Sequence, residues 1–166
     1  MDKQKLLKKL YKDQKFKATY KDFVGATDKK VVFLVDEPID FADSEAKTID
    51  VTNTVKEMQK FTKTLELPDV KKYKADIKEM VGRKRAVPLM YSFGTDLPVV
   101  NAFYLLDVLE AINDDTACFY STDKMPLYIV WQHGLAIICP IFFKEQTVAK
   151  GLYMTPADKK KYLKEN

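Results

Sequence analysis

The chain has 166 residues, 46% of them hydrophobic and 31% charged, with a net charge of +4. That balance suits an ordinary globular fold with a real core, and the lack of a long uncharged apolar run excludes a membrane-spanning helix. The opening segment, MDKQKLLKKLYKDQKFK, is charged throughout and has no apolar stretch of the secretory kind, so the expected location is the cytoplasm.

Residues 3–13 read as a helix, because Leu6, Leu7, Leu10 and Tyr11 recur at helical spacing while Lys5, Lys8, Lys9 and Lys12 fall on the other side. Residues 16–24 read as a strand, Gly25 to Lys29 as a turn, and residues 31–35 as the second strand of a hairpin that Pro38 stops. A short strand is expected at 47–51. A second helix is expected over 54–65, with Thr54 and Glu57 spaced as a capping box. Val51, Val55, Met58, Phe61 and Leu65 form its apolar stripe, opposite Lys56, Lys60 and Lys63.

Leu67-Pro68-Asp69 signals a turn, and residues 71–80 admit either a short helix or an irregular basic loop. A strand is expected at 86–93. Asn101 is suited to cap a third helix, flanked by Val100 and Leu105 at staple positions, with Leu105, Val108, Leu109 and Ile112 on its buried face. Asn113-Asp114-Asp115 stops it. Three strands follow at 116–121, 127–131 and 135–142, and their turn-length links make them antiparallel neighbours. Thr155 and Pro156 then open a short basic helix.

Charge is segregated along the chain. Residues 1–30 carry +6, 31–55 carry −5, 56–85 carry +5, 86–145 carry −5 and 146–166 carry +3. Segregated charge speaks to partners, not to fold.

No catalytic set with a diagnostic spacing is present, whether nucleophile elbow, P-loop, zincin helix or dinucleotide-binding glycines, so no enzyme activity is expected. His133, the one histidine, sits in an expected hairpin turn. The same holds for Asp28, read as a turn former in place of a lone acid. Cys118 and Cys139 lie in apolar runs, belong to no CxxC pair and are expected to be reduced, buried and structural. Asp114 and Asp115 read as helix terminators, not metal ligands, and no metal or cofactor is expected. Trp131, Tyr128, Phe119 and Tyr120 read as core aromatics in preference to a base-stacking platform. The two lysine stripes remain, and two such helices on one sheet would present a single positive surface to phosphates.

A set of motifs in order points to a family. The helix Asn101-Ala102-Phe103-Tyr104-Leu105-Leu106-Asp107-Val108-Leu109 resembles the N-x-x-Y-L-x-D-x-L helix of the last domain of bacterial DNA sliding clamps. Pro126-Leu127-Tyr128-Ile129 resembles the clamp strand carrying P-x-x-I, and Ile137-Ile138-Cys139-Pro140-Ile141 the apolar strand that ends a clamp chain. Upstream, Ala26-Thr27-Asp28 followed by Lys29-Lys30-Val31 resembles the A-T-D hairpin, and Leu67-Pro68-Asp69 the P-D element that opens the last domain.

The resemblance implies an α+β fold of antiparallel sheets with helices packed on one face, DNA-clamp-like. It places a single domain over residues 1–150, with half-domains of about 1–66 and 67–145, and a basic tail with a short helix over 151–166. It implies a compact phage or prophage relative, a processivity factor that binds double-stranded DNA and polymerase or other replication proteins, self-associated into a ring. Lys5, Lys8, Lys9, Lys12, Lys56, Lys60 and Lys63 would meet the DNA. Ile137, Cys139, Pro140 and Ile141 would border a peptide-binding cleft. The rival expectation is a monomeric interaction module, such as an inhibitor, that keeps a clamp-like fold without binding DNA.

Overall fold

The computed structural model describes residues 1–14, 16–39, 47–112, 116–120, 126–142 and 148–163. In chain order the elements are α1 (Lys3–Gln14), β1 (Phe16–Tyr20), β2 (Phe23–Thr27), β3 (Val31–Val35), β4 (Lys47–Asp50), α2 (Thr52–Met58), β5 (Lys63–Leu65) and α3 (Val70–Val81). They continue with β6 (Met90–Ser92), β7 (Val99–Asn101), α4 (Ala102–Ala111), β8 (Thr116–Tyr120), β9 (Leu127–Trp131), β10 (Gly134–Ile138), β11 (Gly151–Tyr153) and α5 (Pro156–Tyr162). The fold is α+β. Among the described residues no helix is long and apolar enough to cross a membrane.

The caps explain where the helices begin. Asn101 Oδ1 accepts the Phe103 and Tyr104 amides at 2.9 and 3.1 Å, which satisfies two donors the first turn of α4 leaves free. Thr155 does the same for α5 through the Asp158 amide at 3.1 Å, with Pro156 opening the helix. Residues 70–81 resolve as the helical alternative, capped by Asp69, whose Oδ1 accepts the Lys72 amide at 3.0 Å. Gly82 ends α3 at φ 63°, a left-handed value that glycine takes without a Cβ clash. Asp2 starts α1 by accepting the Lys5 amide at 2.8 Å, and that bond holds its carboxyl below the usual range.

An eight-stranded sheet runs in the order β4-β1-β2-β3-β10-β9-β8-β5. All its pairings are antiparallel except β1 with β4, so the sheet is mixed and not purely antiparallel. Its centre is symmetric in construction. Helix α1 leads into the meander β1-β2-β3, α4 leads into β8-β9-β10, and the two meanders join through β3 and β10, Phe33 opposite Ala136. A small sheet, β11-β6-β7, packs beside α4.

Strand alternation gives the large sheet two apolar faces. Val31, Phe33, Val35, Ile129, Trp131 and Ile138 face α1, α3 and α4, whose Leu6, Leu7, Leu10, Tyr73, Ile77, Leu105 and Val108 complete the main core. Ala18, Tyr20, Leu34, Tyr128, Leu135 and Ile137 face the other way and are covered by Val51, Val55 and Met58. The expectation that all helices share one face therefore fails for α2. A period of 3.6 reports that a helix has a buried side, but not which of two apolar sheet faces receives it.

Other boundaries moved. Residues 16–24 are two strands, not one, because Lys21 at φ 51° turns the chain between Tyr20 and Phe23. Gly25 consequently lies inside β2, and the β2–β3 turn is built by Asp28, whose Oδ1 accepts the Lys30 and Val31 amides at 2.9 and 2.8 Å. The α2 helix stops at Met58. The Thr54–Glu57 capping box does not form, and Asp50 instead accepts the Thr52 amide just ahead of the helix. The chain then crosses the second face to place β5 against β8, so the first half of the chain supplies both edge strands. The strand expected at 86–93 contracts to β6. β7 was not foreseen. β10 ends at Ile138, two residues before Pro140. Residues 151–153, read as the start of a tail, pair with β6, and Met154 is fully buried. The helix stop at 113–115 and the link at 122–124 lie outside the described residues.

Candidate nucleic-acid interface

The candidate surface is the outer side of the helices over the main core. There α4 lies between α1 and α3, touching both, and α5 reaches the same layer through Lys84 Nζ, which donates to the Tyr162 carbonyl at 3.2 Å. The four helices and Arg83-Lys84-Arg85 hold fifteen basic and six acidic residues, a net of +9. The other described residues carry nine basic and ten acidic groups, a net of −1, so among the described residues folding gathers the positive charge into the helical layer.

Within this layer the acidic residues of α4 are turned inward onto the basic helices. Asp107 is 1% exposed, and Arg85 Nη2 donates to both its oxygens at 2.8 Å. Lys9 Nζ donates to Oδ2 at 2.7 Å. Arg85 also stacks on Phe103, its Cζ 5.1 Å from the ring centre. One helical turn away, Glu110 takes Lys74 at 3.1 Å and the N-terminal ammonium at 3.5 Å. A buried carboxylate without partners would be costly, and these cations hold α1, α3 and the segment before β6 onto α4.

The seven lysines expected to meet DNA do not form one surface. Lys5, Lys8, Lys9 and Lys12 are exposed on α1, in the helical layer. Lys56 and Lys60 follow α2 to the opposite side of the large sheet, where Lys60 pairs with Glu57 at 3.0 Å. Lys63 is not helical; it sits on the edge strand β5, its Nζ 6.0 Å from the centre of the Tyr120 ring. Lys71, Lys72, Lys74, Lys78, Arg83, Lys84 and Arg85, none of them among the expected contacts, lie in the same layer as α1. Their charge was visible, but only the folded chain sets α3 beside α4.

Of the residues expected to border a peptide cleft, Ile137 is buried beneath α2. Cys139 is exposed, not buried as expected. It lies past the end of β10, where its amide is held by the Lys30 carbonyl at 2.9 Å, while the Ile141 amide reaches Val99 at 2.8 Å. Pro140 and Ile141 are half-buried, next to Phe142, which is 69% exposed.

Tyr128 and Trp131 are buried, Trp131 against Phe33 with ring centres 5.2 Å apart, so neither offers a stacking face. His133 is an exposed turn residue whose Nδ1 lies 3.0 Å from Asp36 Oδ2. A groove of about 310 Å³ runs between α3 and β11, lined among others by Asp69, Lys72, Asp76, Tyr91 and Lys150. Its two lysines are offset by its two acids, and Lys150 pairs with Glu66 at 3.5 Å. Among the described residues no group of His, Cys, Asp and Glu is placed to hold a metal ion.

The two thiols differ in environment. Burial pushes the Cys118 thiol up to about 12; the Cys139 thiol, on an exposed residue, is raised by partial desolvation where its sulfur packs against the Lys29 carbonyl, with the Asp28 carboxylate adding to the effect. A thiol whose folded pKa is raised stays protonated and unreactive across the neutral range. Iodoacetamide at pH 8 should therefore add once to the native protein, slowly and at Cys139, and twice after denaturation. Two adducts on the native protein by mass spectrometry would contradict the burial of Cys118.

Comparison with protein-family models, with curated proteins and with solved structures gave no match to this chain.

Proposed function

We propose that the protein is a non-enzymatic, clamp-like DNA-binding protein that lays its helical layer against the phosphates of double-stranded DNA. The observation that carries the reading is the +9 charge of the helical layer set against −1 for the other described residues. The doubled helix-plus-meander plan, with α1, α3 and α4 on one side of the large sheet, supports the clamp comparison made from the motifs. The DNA contacts move from α1 and α2 to α1, α3 and the segment Arg83-Lys84-Arg85. Encircling DNA would require self-association, and Pro140, Ile141 and the exposed Phe142 are the candidate seat for a replication partner.

Titration of a labelled duplex against salt tests this. A surface that neutralises about six phosphates loses roughly a thousandfold in affinity between about 50 and 200 mM salt. A flat or absent response would refute DNA binding and favour the second reading, a monomeric interaction module, which the exposed Phe142 supports. Light scattering separates the two further, since a ring needs several copies of so small a unit.

A further inference from the structure

We infer that Asp107, Arg85 and Lys9 form a preorganised seat for one backbone phosphate, in which the buried acid positions two cations for the ligand. The inference rests on the phosphate-binding reading above and names its central contact.

The geometry argues for more than a neutralised acid. Arg85 Nη2 and Lys9 Nζ both donate to the same oxygen, Asp107 Oδ2, at 2.8 and 2.7 Å, so the two nitrogens are no more than about 5.5 Å apart. Two cations this close repel each other, and a shared counterion offsets that repulsion. Here that counterion is buried beneath them, and their side chains are 47% and 42% exposed.

Both cations keep donors that Asp107 does not use. Among the described residues Arg85 uses only Nη2, which leaves the N–H groups of Nε and Nη1 unbonded, and Lys9 uses one of its three N–H bonds. The Phe103 ring and the two bonds to Asp107 restrain the guanidinium, so less side-chain entropy is lost when a ligand arrives. Planar Arg donors beside a second cation match two oxygens of one phosphate. The charge continues on both sides, through Lys5, Lys8 and Lys12 along α1 and through Arg83 and Lys84 in the chain before Arg85. An extended polyanion is therefore favoured over a small isolated anion.

Opposite signs make the test decisive. Removing an acid from a basic surface should strengthen DNA binding if charge alone matters. If Asp107 positions the seat, Asp107→Asn should instead weaken duplex binding at least fivefold, whereas Glu110→Gln, which removes the same charge nearby, should bind as tightly as the parent or more so. Arg85→Lys should weaken binding as Asp107→Asn does, although it keeps the charge. Equal or tighter binding by Asp107→Asn with an unchanged melting temperature would overturn the proposal.

Should Asp107→Asn fold poorly, the parent protein answers alone. Inorganic pyrophosphate should shift the Arg85 Nε–H resonance in NMR saturably, and no shift there would overturn the seat. A parent that ignores duplex DNA while Arg85 still responds to pyrophosphate would refute the proposed function and leave the seat standing.

Discussion

Replacing Gly25 with alanine should lower the melting temperature by roughly 6–12 °C, the equivalent of about 3 kcal/mol in a protein of this size. Gly25 lies in the middle of β2, paired with Leu34 of β3 and with Ala18 of β1. A Cβ built there would fall on the Phe33 carbonyl oxygen, with the Phe33 carbon at 2.8 Å and the Leu34 Cα at 2.9 Å. These are backbone atoms of a paired strand, so no rotamer change relieves the clash. β3 would have to move, and it carries Phe33 and Leu34, one in each core. Overpacking costs about 1–3 kcal/mol and occasionally more, and a clash with ladder backbone belongs at the upper end. Against a total stability of about 5–15 kcal/mol that is a large loss. A melting temperature within 2 °C of the parent would show that β2 and β3 are not so closely apposed.

The second large effect separates the two lysine stripes. Reversing Lys5, Lys8 and Lys12 together to Glu should weaken duplex binding at least a hundredfold near 0.1 M salt. It should also flatten the log–log salt dependence by about 2.7, three phosphate contacts at about 0.9 each. These three lysines are exposed, and among the described residues none makes an ion pair, so the fold should survive the change. The matching reversal of Lys56, Lys60 and Lys63 should change affinity less than threefold. Lys56 and Lys60 accompany α2 on the far side of the sheet, and Lys63 lies on the edge strand β5. The opposite ranking in anisotropy titrations would place the DNA on the α2 side and refute the helical-layer surface.

The candidate site was half legible before folding. The charge of α1 and of residues 71–85 is plain in the sequence. The cluster of Lys9, Arg85 and Asp107 is not, because its members are separated by 98 and 22 positions in the chain. The acids of α4 would oppose DNA contact if they faced outward. Folding turned Asp107 into a buried anchor and Glu110 into a clasp for Lys74 and the N-terminus, which no spacing rule anticipates. The opposite error befell Ile137, read as a cleft residue from its place near the chain end and then buried by α2.

What the sequence determined by itself is what a few neighbouring residues can encode. Leucine spacing specified α1, Asn101 and Thr155 specified where α4 and α5 begin, and apolar runs joined by short links specified most of the strands of the two meanders. Each of these follows from a period, a cap or a turn, all satisfied within one or two turns of chain. Only the tertiary structure decided the rest: that the meanders join through β3 and β10, that β4 and β5 go to opposite edges, and that α2 takes the second face. Both faces of the sheet are apolar, so an amphipathic helix finds a hydrophobic partner on either. Connectivity and the space left by α1, α3 and α4 made the choice. Three of the seven expected lysines, Lys56, Lys60 and Lys63, thus lie away from the four on α1, while α3 and Arg85 share the layer of α1 and α4.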